Sequence, residues 1–100
     1  MTRHIRTAGP ASEELEDAVR WYEQHRRGLG GEFFDSVGDA LRHIDAHPEA
    51  GAMAFGDSNL RRVLIPRFPY QVVYQLRPSE ILIIAFAHLK RRPGFWEHRR

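Results

Sequence analysis

The sequence predicts an α+β fold, in which an N-terminal strand and an αα-hairpin pack on a twisted antiparallel β-sheet in the order β-α-α-β-β-β, with a short C-terminal helix. Apolar residues recur at spacings of three and four through residues 10–46, as on one face of a helix. Three short apolar runs follow between residues 60 and 87, separated by Pro-containing turns, which is typical of an antiparallel meander. The length of 100 residues allows one domain, covering residues 1–100.

Two helices are predicted, over residues 10–27 and 31–46. Pro10 suits the first helical position, and the glycines of residues 28–31 interrupt the apolar pattern between the two helices. Pro48 ends the second helix because the residue before a proline avoids helical backbone. So short a connection makes an αα-hairpin, whose apolar stripe can cover one face of the later sheet.

The predicted strands differ in how they alternate. Residues 4–7 form a candidate edge strand, and residues 48–58 are predicted to be a loop. The meander consists of strands over residues 60–65, 71–76 and 81–87. The last of these is apolar on both faces, so we expect it to be covered on both sides.

The charges are divided unevenly along the chain. Residues 1–58 carry 6 basic and 11 acidic side chains, a balance of −5, whereas residues 59–100 carry 9 basic and 2 acidic ones, a balance of +7. Such an asymmetry indicates that the basic half meets an acidic partner, either a nucleic acid or an acidic protein segment. The alternative is that the two halves neutralise each other within the fold.

The composition excludes several kinds of site. The chain has no cysteine, which excludes disulfides and thiolate metal sites and is compatible with a reducing cytoplasm. His43 and His47 lie four residues apart on a predicted helix, but no third ligand accompanies them, so we expect no metal and no cofactor. The longest apolar run, residues 81–87, is too short to cross a bilayer, so we expect no membrane partner.

Polar side chains cluster at the ends of the predicted strands. Tyr70 opens the second strand of the meander, and His88 follows the third. The cations of this region are Arg61, Arg62, Lys90, Arg91 and Arg92. A sheet that gathers cations, a histidine and tyrosines can bind an anion or an acidic peptide. Trp96 is expected to anchor the C-terminal tail, with a final helix starting at Pro93 and the tail arginines pointing outward.

Six short segments, in their order and spacing, carry a resemblance to a known family. They are AVRWYE at 18–23, LGGEF at 29–33, HP at 47–48, RR at 61–62, FPYQVVY at 68–74 and HLKRRPGFW at 88–96. In these segments the chain resembles the RelE/ParE superfamily, the toxins of bacterial type II toxin–antitoxin pairs, often called plasmid stabilisation proteins. The resemblance implies a helical hairpin on a twisted antiparallel sheet. It also implies a cognate antitoxin as partner, with which an oligomer is possible.

The superfamily divides by target, and the resemblance leaves both branches open. RelE-like members are mRNA interferases that cleave mRNA on the ribosome, whereas ParE-like members poison DNA gyrase. Cleavage by a ribose 2′-OH requires a base, an acid and cations for the developing charge. If the chain is such an endoribonuclease, the candidate catalytic residues are His88, Arg62 and Tyr70. The candidate target or phosphate contacts are Arg61, Arg62, Lys90, Arg91 and Arg92. No glutamate base is apparent, which departs from the RNase relatives that use one.

Each of these residues also has a structural interpretation. A histidine at a strand end can simply be hydrogen-bonded, and Tyr70 can belong to the sheet face. Arg61 and Arg62 can pair with the acidic helices. These interpretations stay open beside the functional ones.

The acidic hairpin favours the ParE branch, because a toxin that docks on the ribosome should present cations over much of its surface. We therefore expect a non-catalytic, cytoplasmic toxin that inhibits growth by binding a protein target such as DNA gyrase. The alternatives are a RelE-like endoribonuclease and a non-toxic relative that only binds its antitoxin.

Overall fold

The computed structural model describes residues 4–54, 57–92, 94–96 and 99, and both helices lie on one face of a five-stranded sheet. In chain order the elements are β1 (His4–Thr7), α1 (Gly9–His25), α2 (Leu29–Ala46), β2 (Ala52–Ala54), β3 (Asp57–Leu64), β4 (Tyr70–Leu76) and β5 (Glu80–His88). The hydrogen-bonded order is β1-β5-β4-β3-β2. The predicted α+β architecture is confirmed, and the sheet differs from the prediction in two strands.

The first difference is the direction of β1. This strand lies at the edge of the sheet, as expected, but it runs parallel to β5, with Ile5 opposite Ile81. The sheet is therefore mixed rather than wholly antiparallel. Direction cannot be read from four residues of sequence, because it depends on which free edge the strand reaches before the chain turns into α1.

The second difference is β2, which forms within the predicted loop and pairs with β3. Three residues are too few to show the alternation that marks a strand in a sequence. Contacts from neighbouring strands hold the preceding loop in place instead. The Tyr74 hydroxyl donates to the carbonyl oxygen of Pro48 at 2.7 Å, and the Arg61 guanidinium donates to that of Gly51 at 2.9 Å.

A carboxylate closes the turn between the two helices. Glu23 of α1 accepts hydrogen bonds from the backbone N–H groups of Gly28 and Gly30, each at 3.0 Å. An acidic side chain thus satisfies N–H groups at the start of α2 that have no partner within the helix. Gly28 has a φ of 88°, in the left-handed region. The turn is therefore shorter than predicted, and α2 begins at Leu29 instead of Gly31.

Gly30 of α2 packs against the backbone of α1, and we expect Gly30→Ala to destabilise the protein by about 1–3 kcal/mol. A Cβ atom at Gly30 would lie 2.6 Å from the backbone carbonyl oxygen of Val19, and neither backbone can move without separating the helices. Gly31→Ala is the matched control, since a Cβ atom there meets nothing within 4 Å. Urea unfolding should show the control unchanged or slightly stabilised. Equal stability of the two variants would contradict the close approach.

The sheet separates two groups of buried side chains. The helix-face core contains Ala11, Ala18, Tyr22, Phe33, Val37, Ala40, Ile44, Ile65, Val72, Tyr74, Ile81, Ile83 and Phe86. The tail-face core contains Ala54, Leu60, Val73, Leu82, Ile84, Ala85, Ala87 and Trp96. Every residue from 81 to 87 is buried, so the prediction that the last strand is covered on both sides is confirmed.

A β-bulge interrupts the alternation of β5. Ile84 has no partner on β4, because its neighbours Ile83 and Ala85 lie opposite consecutive residues of that strand. Ile84 and Ala85 therefore both belong to the tail-face core, and alternation restarts one residue later. As a result Phe86 lies in the helix-face core, and His88 shares its face.

Candidate functional site

A groove of about 730 Å³ lies between α1 and the C-terminal end of β5. We call it the α1–β5 groove, and its lining residues are Glu14, Asp17, Ala18, Trp21, Tyr22, Pro69, Tyr70, Phe86, His88 and Arg91. Helix α1 supplies one wall and the ends of β4 and β5 supply the other. The groove is therefore built by the packing of the hairpin on the sheet.

Aromatic rings form most of the apolar surface of the groove. Tyr22 and Tyr70 have ring centroids 6.1 Å apart, and Tyr70 meets His88 edge-on at 5.1 Å. Trp21 stacks on His25 at 3.7 Å, yet 53% of its surface stays exposed. A large, half-exposed indole beside a row of rings is the kind of surface that anchors a partner side chain.

Glu14 lies at the back of the groove and accepts several hydrogen bonds. Its carboxylate accepts hydrogen bonds from the backbone N–H of Phe86 at 3.2 Å and from the guanidinium of Arg99 at 2.8 Å. It also accepts one from the guanidinium of Arg91 at 3.4 Å. Only 15% of this side chain is exposed. Glu14 therefore bonds the part of β5 that extends beyond its pairing with β1, and it connects α1, the sheet and the C-terminal tail.

The tyrosines of the groove keep their protons. Burial raises the pKa of Tyr70 above its usual value, and the charge of Glu14 raises it further. Burial likewise raises the pKa of Tyr22, with a smaller contribution from Tyr70. A phenol held neutral can donate a hydrogen bond to a ligand, but it does not act as a base at neutral pH.

The predicted residues His88 and Tyr70 are brought together. They lie directly opposite each other on β5 and β4, so their side chains share the helix face of the sheet. Lys90 and Arg92 follow β5 and are exposed, and the backbone N–H of Lys90 donates to Nδ1 of His88 at 3.0 Å. The guanidinium of Arg91 lies 3.6 Å above the ring of Phe95.

The predicted arginines of β3 lie elsewhere. Arg62 lies opposite Val73, a residue of the tail-face core, so it projects from the other face of the sheet than Tyr70 and His88. Its guanidinium donates to the side chain of Gln71 at 3.4 Å. Arg61 donates to backbone carbonyl oxygens of the loop before β2. The structure thus brings together two of the three candidate catalytic residues, and their catalytic role stays a prediction.

The tail differs from the expectation in one respect. Trp96 is only 3% exposed and packs in the tail-face core, and its role as an anchor stays a prediction. Arg99, expected to point outward, instead turns inward to Glu14 and has only 11% of its side chain exposed. Pro93, the predicted start of a final helix, lies outside the described residues. The described part of the tail forms a turn, in which the N–H of Arg99 donates to the carbonyl of Trp96.

Three groove residues of α1 were missed by sequence reasoning. They are Glu14, Trp21 and Tyr22. The available signal was their spacing, since residues 14 and 21 are seven apart and so share one side of a helix. Within the described part of the chain, no group of three His, Asp or Glu side chains is arranged to hold a metal ion.

Comparison with known proteins identifies the family. Residues 5–93 match the family described as the ParE toxin of the type II toxin–antitoxin system, parDE. The chain belongs to the ParE toxin family. The predicted membership of the RelE/ParE superfamily is therefore confirmed, and no curated protein matches this ParE toxin. None of its described helices has the length and apolar character needed to span a membrane.

A solved structure shows the same fold. A chain of the chromosomal ParDE toxin–antitoxin system from P. aeruginosa superposes with a TM-score of 0.74, at 12% sequence identity. The match covers 87% of the present ParE toxin and 96% of that chain. At this identity the likeness concerns the fold alone, and it supports the arrangement of hairpin and sheet that forms the groove.

Proposed function

We propose that this ParE toxin inhibits bacterial growth in the cytoplasm by binding a protein target such as DNA gyrase, and that a cognate antitoxin neutralises it. The observation that carries the proposal is the separation of the candidate nuclease residues. Arg62, the only cation among the three candidate catalytic residues, lies on the face of the sheet opposite to Tyr70 and His88, so these three residues do not converge on one bond. A toxin without an assembled nuclease site acts by binding.

The charges of the α1–β5 groove also oppose a ribonucleic acid ligand. Glu14 and Asp17 both line it, and Arg91 is already held 3.4 Å from Glu14. Carboxylates at this position repel phosphate groups. The exposed ring of Trp21, in contrast, offers the aromatic surface that is common in protein interfaces. The groove therefore suits a polypeptide better than a nucleic acid.

The α1–β5 groove is the proposed binding site of the antitoxin. Lys90 and Arg92 do not line the groove but are exposed directly after β5, so they can meet the carboxylates of an acidic segment away from Glu14 and Asp17. Trp21 and Tyr70 can receive an apolar side chain from the same segment. A segment that folds on binding can cover the whole groove, and the resulting complex is an oligomer of toxin and antitoxin.

One observation favours the endoribonuclease alternative. His88 and Tyr70 are in ring contact, and Arg91 lines the same groove. A histidine, a phenol and an arginine are the groups that general acid–base cleavage of RNA would use. The alternative therefore needs an experiment that separates it from target binding.

The variants His88→Ala and Arg62→Ala separate the two functions. We expect both to inhibit growth within about twofold of the wild type, because a ParE-like toxin uses neither side chain in a chemical step. If the protein were an endoribonuclease, His88→Ala would lower its cleavage rate by about a hundredfold or more. Growth after induction, gyrase supercoiling and mRNA cleavage during in vitro translation are the measurements.

His43→Ala is the control, since His43 is exposed on α2, away from the groove. The endoribonuclease would replace the proposed function if two results were found together. Wild-type protein would cleave mRNA without affecting supercoiling, and His88→Ala would abolish both cleavage and toxicity. Wild-type protein without any effect on growth would point to the non-toxic relative.

A further inference from the structure

A second groove lies on the other side of α1, between α1 and α2. It has a volume of about 410 Å³ and is lined by Ser12, Leu15, Glu16, Val19, Arg20 and Phe34. We call it the outer hairpin groove. Leu15 and Val19 lie on the side of α1 that faces α2, whereas Glu14 and Trp21 lie on the side that faces the end of β5. One helix therefore separates two grooves.

The floor of the outer hairpin groove is apolar and open to solvent. Phe34 is 56% exposed, although its neighbour Phe33 is fully buried in the helix-face core. Leu15 and Val19 are only partly buried beside it. A phenylalanine left exposed next to aliphatic side chains in a groove is a feature of interaction sites more than of solvated helix surfaces.

The hairpin that carries this groove is acidic as a whole. Residues 9–46 carry nine acidic and four basic side chains, a balance of −5. Three of the four arginines are engaged in ion pairs within the hairpin, Arg20 with Asp17, Arg26 with Glu32 and Arg42 with Asp39. Glu16 lies in the groove itself. An incoming polypeptide with positive charges is therefore favoured here, and an acidic one is repelled.

We propose that the outer hairpin groove binds a basic amphipathic helix of the toxin's protein target. The inference rests on the proposed function, because it assigns the surface that contacts that target. A helix can lay apolar side chains spaced by three and four residues along Leu15, Val19 and Phe34. Its lysines or arginines then meet the acidic surface of the hairpin. An acidic antitoxin segment fits the α1–β5 groove, beside Lys90 and Arg92, and does not fit this one.

The arrangement also explains neutralisation without a shared binding site. The two grooves are separated by α1, and a helix is about 10–12 Å across with its side chains. An antitoxin seated in the α1–β5 groove therefore stands beside the outer hairpin groove. A folded target that docks its helix on α1 and α2 would collide with it.

Binding of a model peptide tests the surface directly. The probe is a fluorescent peptide of about 18 residues, in which leucine and lysine are arranged in an amphipathic helical pattern. The control peptide has the same pattern with glutamate in place of every lysine. We expect the lysine peptide to bind at least about tenfold more tightly, and to weaken as salt is raised to about 0.5 M. The substitutions Phe34→Ser and Glu16→Lys should each weaken binding of the lysine peptide about tenfold. Leu64→Ser, on the other face of the sheet, should leave binding unchanged.

Fluorescence anisotropy with these four proteins decides the proposal. Equal binding of the two peptides, or equal binding to wild type and Phe34→Ser, would overturn it. Weakening by Leu64→Ser to the same extent as by Phe34→Ser would also overturn it, because it would mean non-specific adsorption.

Growth assays connect the groove to the target. We expect Phe34→Ser to lose growth inhibition while it still co-purifies with the cognate antitoxin. Full toxicity of Phe34→Ser would overturn the assignment of the target. If wild-type protein itself does not inhibit growth, the proposed function fails, and the peptide measurement still decides whether the groove binds a basic helix.

Discussion

Replacing Trp96 by alanine should lower the free energy of unfolding by about 3 kcal/mol or more, the range for removing a large buried aromatic side chain. Trp96 is the residue by which the C-terminal tail covers the sheet, and only 3% of its surface is exposed. It packs on Leu60, Val73 and Ile84 in the tail-face core. Without the indole, the outer face of β5 would meet water along a strand that is apolar on both sides.

Urea unfolding of Trp96→Ala, with Leu89→Ala as control, measures this effect. Leu89 is exposed just after β5, so its truncation should change stability by less than about 0.5 kcal/mol. A Trp96→Ala protein as stable as the control would mean that the tail is not anchored. Removal of residues 97–100 should also cost stability, because it deletes Arg99 and its ion pair with the largely buried Glu14.

The adjacent pair Phe33 and Phe34 should respond in opposite ways to truncation. Phe33→Ala should cost about 3–5 kcal/mol, because Phe33 is fully buried and its ring lies 5.0–5.1 Å from those of Tyr22, Phe68 and Tyr70. Phe34→Ala should cost less than about 0.5 kcal/mol, since its side chain is more than half exposed. Both variants lose the same atoms from the same turn of α2.

Thermal and urea unfolding of the two variants provide the comparison. Similar losses in both would mean that Phe34 belongs to the core and is not available to a partner. A large loss in Phe33→Ala alone would support both the packing of the hairpin and the use of Phe34→Ser as a folded variant in the binding experiments.

Much of the fold could be predicted because long elements repeat their pattern many times. The 17 and 18 residues of α1 and α2 contain several turns of apolar spacing, and the three strands of the meander are bounded by prolines. The short edge strands could not be predicted as well. The pairing of β2 and the direction of β1 depend on backbone hydrogen bonds with distant strands, which leave no period in the sequence.

The candidate site could be predicted only in part. Tyr70 and His88 stand at strand ends joined by a meander, so their proximity follows from the strand order. The α1 wall could not be derived, because the angle at which the hairpin crosses the sheet decides which helix residues face β5. The outward direction expected for Arg99 was wrong, because Glu14 on α1 provides a partner that only the folded chain brings near.

The bulge at Ile84 decides which face of the sheet His88 occupies. With strict alternation along β5, His88 would project from the same face of the sheet as Arg62, and a histidine and an arginine would stand over one open surface. One inserted residue instead turns the histidine toward α1. The bulge thus places the histidine beside Tyr70 in the α1–β5 groove, on the opposite face of the sheet from Arg62.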